Sequence, residues 1–562
     1  MLNVFGFNRN LRNLKRTRTI FAVLAKYGLG HLLDALHVSD YLLAAKIILG
    51  RRRGQEIERL STQVRLRLAM EELGPTFIKL GQLLSTRPDL IPADYADELG
   101  KLQDQVTPIP FAPLGAQIES ALQQPLNALY AFINETPLAA GSIAQVHRAR
   151  LHSGEEVVIK VRRPDIEAII ETDLDILAGL AAMIEKHDPT LAHYELSGVV
   201  RELRRVLRNE INLTHEGQII KRFATYFAKD RTVRLPRVYA ELTAETVLTL
   251  EYIDGIKVSD RDALIEKGHS PKQIARNGAV FFLKQVLDFG IFHGDPHPGN
   301  FFILEGGIIC MFDFGMVGHL SEDVRDYLVD LLLAVLGRDP DRIVSLLSCS
   351  GDLPDEVNLP NLRHDLAFFI DNYYDIPLHE INTGRLLDEF FGILSLYRIR
   401  FSPDLMLLAK ALVTIEGIGR KLDPDFNMIV HLKPFMEKIV RKKVSPAYIG
   451  KEASRVLMSF ATLFKNLPRD LQAFINRLNH NRFKIELEHR GLDRLINDLD
   501  RSSNRISFSL LIAALIIGSS LIMQTEKGPL LFGFPALGFI GYSIAGFLGL
   551  WLAIAILRSG RL

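Results

Sequence analysis

The chain has 562 residues, which at roughly 150 residues per domain predicts about three to four domains and a core that needs no disulfide support. Its two cysteines exclude a disulfide framework and a cysteine-rich metal site. Because 67 lysines and arginines balance 66 aspartates and glutamates, the net charge is only +1, and we expect no nucleic-acid partner.

The N-terminal region, residues 1–54, is basic and amphipathic. Residues 1–33 contain six basic residues and no acidic residue, with Phe5, Phe7 and Phe21 among the interleaved apolar side chains. This pattern is typical of a segment that lies on an anionic membrane surface, and equally of a solvated, partly disordered leader. The apolar run at residues 20–24 is too short for a signal peptide and follows the charges.

Residues 55–130 have helical periodicity, broken by glycine and proline, and predict a helical extension. The sequence KLGQ at residues 79–82 lies within it, on a helix with one apolar face. Periodicity alone therefore predicts a packing helix and gives Lys79 no catalytic role.

The periodicity changes at residues 131–254. Residues 143–151 and 157–161 predict two strands joined by a turn, residues 163–227 predict helices, and residues 233–253 predict further strand pairs. Residues 255–450 are mostly helical, with short strands near residues 301–312. Strands followed by helices predict an α+β fold with two lobes.

The C-terminal part begins with a helical linker at residues 451–505, whose charged segment 482–505 predicts an exposed helix. Residues 506–557 predict two transmembrane helices, because the runs 506–523 and 528–557 contain no charge and each is long enough to cross a bilayer. Arginines on both outer flanks favour a cytoplasmic location for both ends. The alternative is a buried helical pair of the globular core.

The strongest chemical signal is HGDPHPGN at residues 293–300, followed by DFG at residues 313–315. Phosphoryl transfer needs a carboxylate near the nucleophile and oxygen ligands for magnesium. Asp295 and Asn300 stand five residues apart, as in a kinase catalytic loop, and Asp313 follows an apolar strand. The alternative is a polar turn between buried strands. GxxxxGK[ST] and GxGxxG are both absent from the sequence, so it lacks the P-loop and Rossmann fingerprints.

Two further segments lie upstream in the order that kinases have. Lys160, in the strand VVIKV, would pair with ATP phosphates and with an acidic helix residue, although alone it is typical of a surface lysine on an edge strand. Residues 137–147 take the place of a glycine-rich nucleotide loop but are rich in alanine, which predicts a different phosphate grip; the alternative is a surface turn. The candidate nucleotide-binding residues of this loop are Ala139, Ala140, Gly141, Ser142, Ile143 and Ala144.

These segments together resemble the UbiB family of atypical kinase-like proteins, which is associated with ubiquinone biosynthesis. The resemblance covers residues 55–450 and implies a bilobal protein-kinase-like fold that binds ATP and Mg²⁺. It implies that Lys160 anchors ATP and that Glu216 is its helix partner. It further implies that Asp295 orients the nucleophile, while Asn300 and Asp313 hold the metal.

The resemblance also implies that the helix with Lys79 covers the active site and contacts the family's Glu-x-Asp motif. Glu210 and Asn212 occupy that motif here, and Asn212 departs from the family pattern by losing a carboxylate. Gly141 within the alanine-rich loop is a second departure, which implies looser nucleotide selectivity.

The expected function is that of a membrane-anchored, Mg-ATP-dependent ATPase that supports quinone biosynthesis, with poor protein-kinase activity in trans. Its expected location is the inner membrane with the catalytic domain in the cytoplasm. The expected partners are membrane lipids, quinone precursors and quinone-biosynthesis enzymes. The alternatives are a small-molecule phosphotransferase of the aminoglycoside or choline kinase type and an ATP-binding scaffold without catalysis.

Overall fold

The computed structural model describes residues 4–29, 60–85, 90–102, 106–187, 195–349, 357–374, 380–399, 402–443, 492–524 and 534–558, with shorter stretches between them. The chain divides into two compact units, Met1–Ser445 and Pro446–Leu562. Most of the predicted linker between residues 451 and 491 lies outside the described residues.

Helices precede the first sheet, as the sequence predicts for the helical extension. They are α1 (Val4–Lys26), α2 (Thr62–Leu73), α3 (Pro75–Ser85), α4 (Ala93–Leu99), α5 (Phe111–Leu122) and α6 (Leu126–Leu129). Gly74 has a φ of 98°, a conformation that favours glycine, and it lets the chain turn sharply between α2 and α3. Leu73, Phe77 and Ile78 on either side of this turn are buried in one apolar core.

The C-terminal half of α1 belongs to the same core. Ile20, Phe21 and Val23 are buried, and the guanidinium of Arg16 donates to Asp173 Oδ1 at 2.7 Å and to the carbonyl oxygen of Leu73 at 2.7 Å. Both expectations for this region, contact with lipid and exposure to solvent, are therefore wrong for Ile20, Phe21 and Val23, because apolar neighbours in α2 and α3 cover them. Arg18 and Thr19 on the other face of α1 are exposed.

The strands of the first unit form two sheets and a separate pair. They are β1 (Phe132–Ile133), β2 (Ala139–Ala140), β3 (Ala144–Arg150), β4 (Glu156–Arg162), β5 (Val233–Arg234), β6 (Val247–Glu251), β7 (Ile256–Lys257), β8 (Ile291–His293), β9 (Phe301–Leu304), β10 (Ile308–Met311) and β11 (Val317–His319). The first sheet is antiparallel in the order β1-β3-β4-β6, with β2 also paired to β3. The bounds of β3 and β4 confirm the strands predicted at residues 143–151 and 157–161.

The alternation of side chains along β4 decides where Lys160 points. Val157, Ile159 and Val161 are fully buried on one face, in a core that they share with Leu114 of α5. Successive side chains of a strand point to opposite faces, so Lys160 lies on the other face of the sheet.

Three helices follow β4: α7 (Ile166–His187), α8 (Leu196–Ile211) and α9 (Leu213–Tyr226). Ile170 and Leu174 of α7 pack with Leu203 and Leu207 of α8 in a small core. The second sheet has the order β5-β10-β9-β7, in which β5 is parallel to β10, and β8 pairs with β11. The strands predicted near residues 301–312 are confirmed as β9 and β10.

Residues 233–253, predicted as strand pairs, divide instead between two sheets. β5 pairs with β10 of the second sheet and β6 pairs with β4 of the first. Isolated bridges link Val238 to Leu250 and Ala244 to Val247. The pairing of β5 and β6 depends on strands far away in the sequence, and a local sequence pattern cannot predict such partners.

The remainder of the first unit is helical, as predicted. Its helices are α10 (Arg261–Glu266), α11 (Pro271–Leu283), α12 (Glu322–Leu336), α13 (Pro340–Cys349), α14 (Leu359–Tyr374), α15 (Thr383–Leu396), α16 (Pro403–Leu422) and α17 (Met428–Lys443). A π-helical turn at Lys284–Phe289 continues α11. The helices α11 and α16 pack together in the largest core, next to β9 and β10.

The second unit contains two long helices, α18 (Leu492–Met523) and α19 (Ala536–Arg558), joined through the short strands β12 (Leu530–Leu531) and β13 (Phe534–Pro535). Ser502–Met523 and Ala536–Ala553 are long and apolar enough to cross a membrane. Gly541 allows α19 to approach Ser519 closely, and the hydroxyls of Ser520 and Tyr542 lie 2.6 Å apart. The second helix begins at Ala536 rather than at the predicted residue 528, because the β12–β13 hairpin occupies the start of that run.

We expect Arg16→Met to lower the melting temperature of the full-length protein, because the fully buried Asp173 would lose its cation. Removing one partner of a buried ion pair costs about 3–5 kcal/mol. Differential scanning calorimetry measures the effect, with Arg18→Met at an exposed position of α1 as the control. Equal melting temperatures for the two variants would contradict the packing of α1 against α7.

Candidate active site

The ammonium group of Lys160 joins two carboxylates from distant parts of the chain. Its Nζ donates to Glu216 Oε1 and Oε2 at 2.8 and 2.9 Å and to Asp313 Oδ1 at 3.1 Å. Glu216 lies in the first turn of α9, is 5% exposed, and also accepts a hydrogen bond from the N–H of Phe314 at 3.3 Å. This ion cluster ties β4, α9 and the DFG turn at residues 313–315 together.

The ammonium of Lys160 stabilises the charged form of Asp313, and Asp313 and Glu216 stabilise the charged form of Lys160. The ammonium of Lys160 lowers the pKa of Asp313 to about 2, although burial opposes the shift. Burial lowers the pKa of Lys160, but the charges of Asp313 and Glu216 outweigh it and raise the pKa overall. Both groups are therefore ionised at neutral pH. Because the pKa of Asp313 is depressed by folding, its contribution to stability is present above about pH 4 and is lost as the pH falls toward 2.

Asp313 has an unusual backbone conformation, with a φ of 54° in the left-handed region. For a residue other than glycine this conformation costs about 1–3 kcal/mol and persists only where neighbouring contacts hold it. His293 Nε2 bonds to the carbonyl oxygen of Asp313, and the N–H of Gly315 donates to Asp313 Oδ1 at 3.3 Å. These contacts hold the carboxylate where it meets Lys160.

The imidazole of His293 connects the two motifs of the site. Its Nδ1 accepts the N–H of Asp295 at 3.1 Å, so its Nε2 carries the proton and donates to the carbonyl of Asp313. The backbone N–H of His293 donates to Oε1 of the buried Gln285 at 3.0 Å. This role of His293 was not predicted from the sequence, although its position at the head of HGDPHPGN was the available signal.

Asp295 and Asn300 lie in the turn that follows β8. The carbonyl oxygen of Asp295 accepts the backbone N–H of His297 at 2.7 Å and Asn300 Nδ2 at 3.4 Å, so that the side-chain oxygen of Asn300 is the atom that could coordinate a metal. Among the described residues, no group of three or more histidines, cysteines or carboxylates is arranged to hold a metal. The oxygens of Asn300 and Asp313 nevertheless fit Mg²⁺, which prefers hard oxygen ligands and usually shares them with substrate phosphates.

Lys79, in the helical extension, lies near the DFG turn at residues 313–315 through its contact with Glu210. Its side chain is 7% exposed in α3, and its Nζ lies 2.8 Å from Glu210 Oε1. Glu210 borders Gly315, where an added Cβ would lie 3.7 Å from Glu210 Cγ. Lys79 also adds to the lowering of the pKa of Asp313. The structure thus brings α3 to the DFG turn, with the Lys79–Glu210 contact that the resemblance implies.

The other residues of KLGQ have a packing role. A Cβ at Gly81 would lie 2.8 Å from Met70 Sδ and would clash with Leu102. Gln82 Nε2 donates to the carbonyl oxygen of Leu102 at 3.4 Å. Gly81 and Gln82 therefore fix the chain that leads from α3 to the first sheet.

The alanine-rich loop forms a tight hairpin of β2 and β3, closed by a hydrogen bond from the N–H of Gly141 to the carbonyl oxygen of Ala144 at 2.9 Å. Arg163 holds this hairpin: its Nε donates to the carbonyl oxygen of Gly141 at 2.9 Å, and its N–H donates to that of Ile143 at 2.8 Å. Arg163 Nη2 also donates to the carbonyl oxygen of Thr107 at 2.9 Å. Sequence reasoning missed Arg163, whose only signal was its place directly after the strand of Lys160.

Asn212 caps a helix. Its Oδ1 accepts the N–H groups of Thr214 and His215 at 3.1 and 3.3 Å, at the start of α9. Asparagine and aspartate are about equally good at this position, so the departure from the family pattern leaves the cap of the helix that carries Glu216 intact.

Known proteins match this chain along most of its length. Residues 101–347 match the ABC1 atypical kinase-like domain, residues 366–427 the UbiB helical domain, and residues 490–558 the ABC1/UbiB kinase-like C-terminal domain. The first match contains the Lys160 cluster, Asp295 and Asn300, so the fold is kinase-like. Lys79 precedes all three matches.

Three relatives are similar to this chain over most of its length. An uncharacterized protein from Synechocystis is 35% identical over 454 residues, covering 80% of this chain and 78% of its own. A protein described as lying in the hydrogenase 1 5' region of Clostridium pasteurianum is 33% identical and covers 97% and 99%. A protein named "Probable protein kinase UbiB" from Xylella fastidiosa is 32% identical and covers 93% and 96%. The chain therefore belongs to the ABC1/UbiB family of atypical kinase-like proteins.

Proposed function

We propose that this protein is a membrane-anchored, kinase-like ATPase that cleaves the terminal phosphate of Mg-ATP in support of ubiquinone biosynthesis. The observation that carries the proposal is the cluster of Lys160, Glu216 and Asp313, assembled next to Asp295 and Asn300. The name of the Xylella relatives and the family resemblance support the link to quinone biosynthesis.

Each side chain has a role that its chemistry fits. Lys160 would bind ATP phosphates, held in place by Glu216. Asn300 and Asp313 would hold Mg²⁺, which neutralises charge on the phosphate oxygens when bound. The side chain of Asp313 is 54% exposed and is accessible to such an ion.

Asp295 would act on the attacking hydroxyl. The oxygen of the acceptor hydroxyl would form a bond to the γ-phosphorus while Asp295 takes the proton of that hydroxyl. The bond between the γ-phosphorus and the bridging oxygen would break, and its electron pair would leave with ADP. The alanine-rich hairpin, gripped by Arg163, would cover the nucleotide from the side of the first sheet.

Water or a small molecule is the acceptor favoured by the placement of α3. The Lys79–Glu210 pair lies over the DFG turn, where a protein substrate would need room. A small-molecule phosphotransferase differs from an ATPase in where the γ-phosphate goes, so thin-layer analysis of the labelled product distinguishes the two.

The two long helices of the second unit would anchor the protein. Their apolar stretches are exposed over most of their length, with Leu510, Ile517, Phe547 and Leu550 each more than half exposed. Arg501 precedes the first candidate span, Arg505 lies in its first turn and Arg558 follows the second span, which favours both ends in the cytoplasm. Polyprenyl quinone precursors lie in the bilayer, and ATP-driven movement near it would help to present them to soluble enzymes.

We expect Asp313→Asn to weaken Mg-dependent ATP binding at least tenfold with the fold retained, because the metal loses its charged ligand. Isothermal titration calorimetry with and without Mg²⁺ measures this, and Asp323→Asn at an exposed position is the control. Because the pKa of Asp313 is already near 2, the wild-type affinity should not change through this group between pH 5 and 9. An unchanged Mg-dependent affinity for ATP in Asp313→Asn would show that Asp313 is not a metal ligand.

We expect Lys79→Ala to loosen the cover over the site and to alter nucleotide affinity, because Glu210 loses its buried cation. Labelled ATP should then label the variant itself, and the double variant Lys79→Ala/Lys160→Ala should lose that labelling. Lys221→Ala, at an exposed position of α9, is the matched control. If the Lys79 variant and the wild type show equal labelling and equal nucleotide affinity, α3 is only a packing helix.

We expect a chain that ends at residue 501 to move to the soluble fraction, because both candidate spans are removed. Fractionation after a high-salt wash measures this, and a chain that ends at residue 558 is the control. A truncated protein that stays wholly with the membrane would show that these helices are not the principal anchor.

A further inference from the structure

Helix α16 lies directly against the catalytic loop, although it belongs to the UbiB helical domain rather than to the ABC1 domain. A Cβ at Gly294 would lie 2.7 Å from Leu407 Cδ2, so the glycine before Asp295 allows close approach of this helix. Asp404, one turn earlier, accepts the N–H of His319 in β11 at 3.3 Å. These contacts fix the N-terminal half of α16 beside the strand pair that carries His293.

Lys410 lies one helical turn after Leu407, on the same side of α16. Its partly buried ammonium interacts electrostatically with the carboxylate of Asp295 and with the ammonium of Lys79. Burial lowers the pKa of Lys410, Asp295 opposes this shift, and Lys79 adds to it. Lys410 therefore lies on the side of α16 that contacts the loop at Gly294, and it brings a cation from the UbiB helical domain to the neighbourhood of Asp295.

The three lysines near the catalytic loop differ in their partners. Lys160 is bound by Glu216 and Asp313, and Lys79 is bound by Glu210. Lys410 has no ion pair within 4.0 Å among the residues that the structure describes, so its charge is not neutralised by a close contact. The catalytic loop itself, residues 294–300, contains no lysine or arginine.

A phosphoryl group in transfer carries negative charge that fixed cations stabilise. We propose that Lys410 binds the terminal phosphate of ATP beside Asp295, as a further catalytic residue supplied by the UbiB helical domain. This inference rests on the proposed function, because it assigns a residue to the same site. ADP lacks the terminal phosphate of ATP, so Lys410 should contribute to the affinity for ATP and little to the affinity for ADP.

The test compares Mg-ATP and Mg-ADP as probes on the full-length protein in detergent. Lys410→Met should reduce ATP affinity about tenfold and ADP affinity less than twofold, and it should lower kcat at least tenfold. Lys410→Arg should recover part of the ATP affinity and part of kcat, because it keeps the positive charge. Lys421→Met, at an exposed position in the last turn of the same helix, should behave as the wild type.

If Lys410→Met does not fold, Lys410→Gln provides the same comparison with a polar side chain of similar length. An unchanged ratio of ATP to ADP affinity in the folded variant overturns the role of Lys410, whereas the proposed function then stands if the wild type still binds and cleaves Mg-ATP. A wild type that binds neither nucleotide overturns both.

Discussion

The contact of one ammonium group with two carboxylates organises this molecule. Lys160 comes from the first sheet, Glu216 from the helix that Asn212 caps, and Asp313 from the turn after β10. Charges taken partly out of water are stable only when they are paired and hydrogen-bonded. The three elements must therefore come together correctly for any one of these side chains to be satisfied, and their meeting point is the candidate active site.

A second layer of contacts holds this arrangement in place. His293 links the backbone of Asp295 to that of Asp313, which has a left-handed conformation that its neighbours maintain. Strained residues of this kind concentrate where function requires a fixed geometry. Arg163 holds the alanine-rich hairpin by hydrogen bonds, and the Lys79–Glu210 pair brings α3 to the DFG turn. The helical extension and the two sheets consequently form one site.

Local sequence predicted those parts of the site that depend on local geometry. The strand predicted at residues 157–161 carries Lys160, and the apolar strand predicted before Asp313 ends at Met311, two residues before it. Features that depend on tertiary contact were not predictable. Phe21 is buried because distant helices cover it. Lys410 lies in an apolar helix whose period gives no sign that its charge interacts with that of Asp295. Family resemblance supplied the Lys79–Glu210 pair, which periodicity could not.

We infer that the ion cluster around Lys160 serves phosphoryl transfer and does more than fix the shape of the fold. The most direct measurement follows the γ-phosphate of labelled Mg-ATP with full-length protein in vesicles of anionic lipid, with and without a quinone-like phenol, and compares wild type with Glu216→Gln. We expect the wild type to release labelled phosphate, and we expect Glu216→Gln, which leaves Lys160 without its buried partner, to reduce the release at least tenfold. Equal release by the two proteins, or nucleotide binding by the wild type with no transfer to water or phenol, would show that the cluster does not serve phosphoryl transfer.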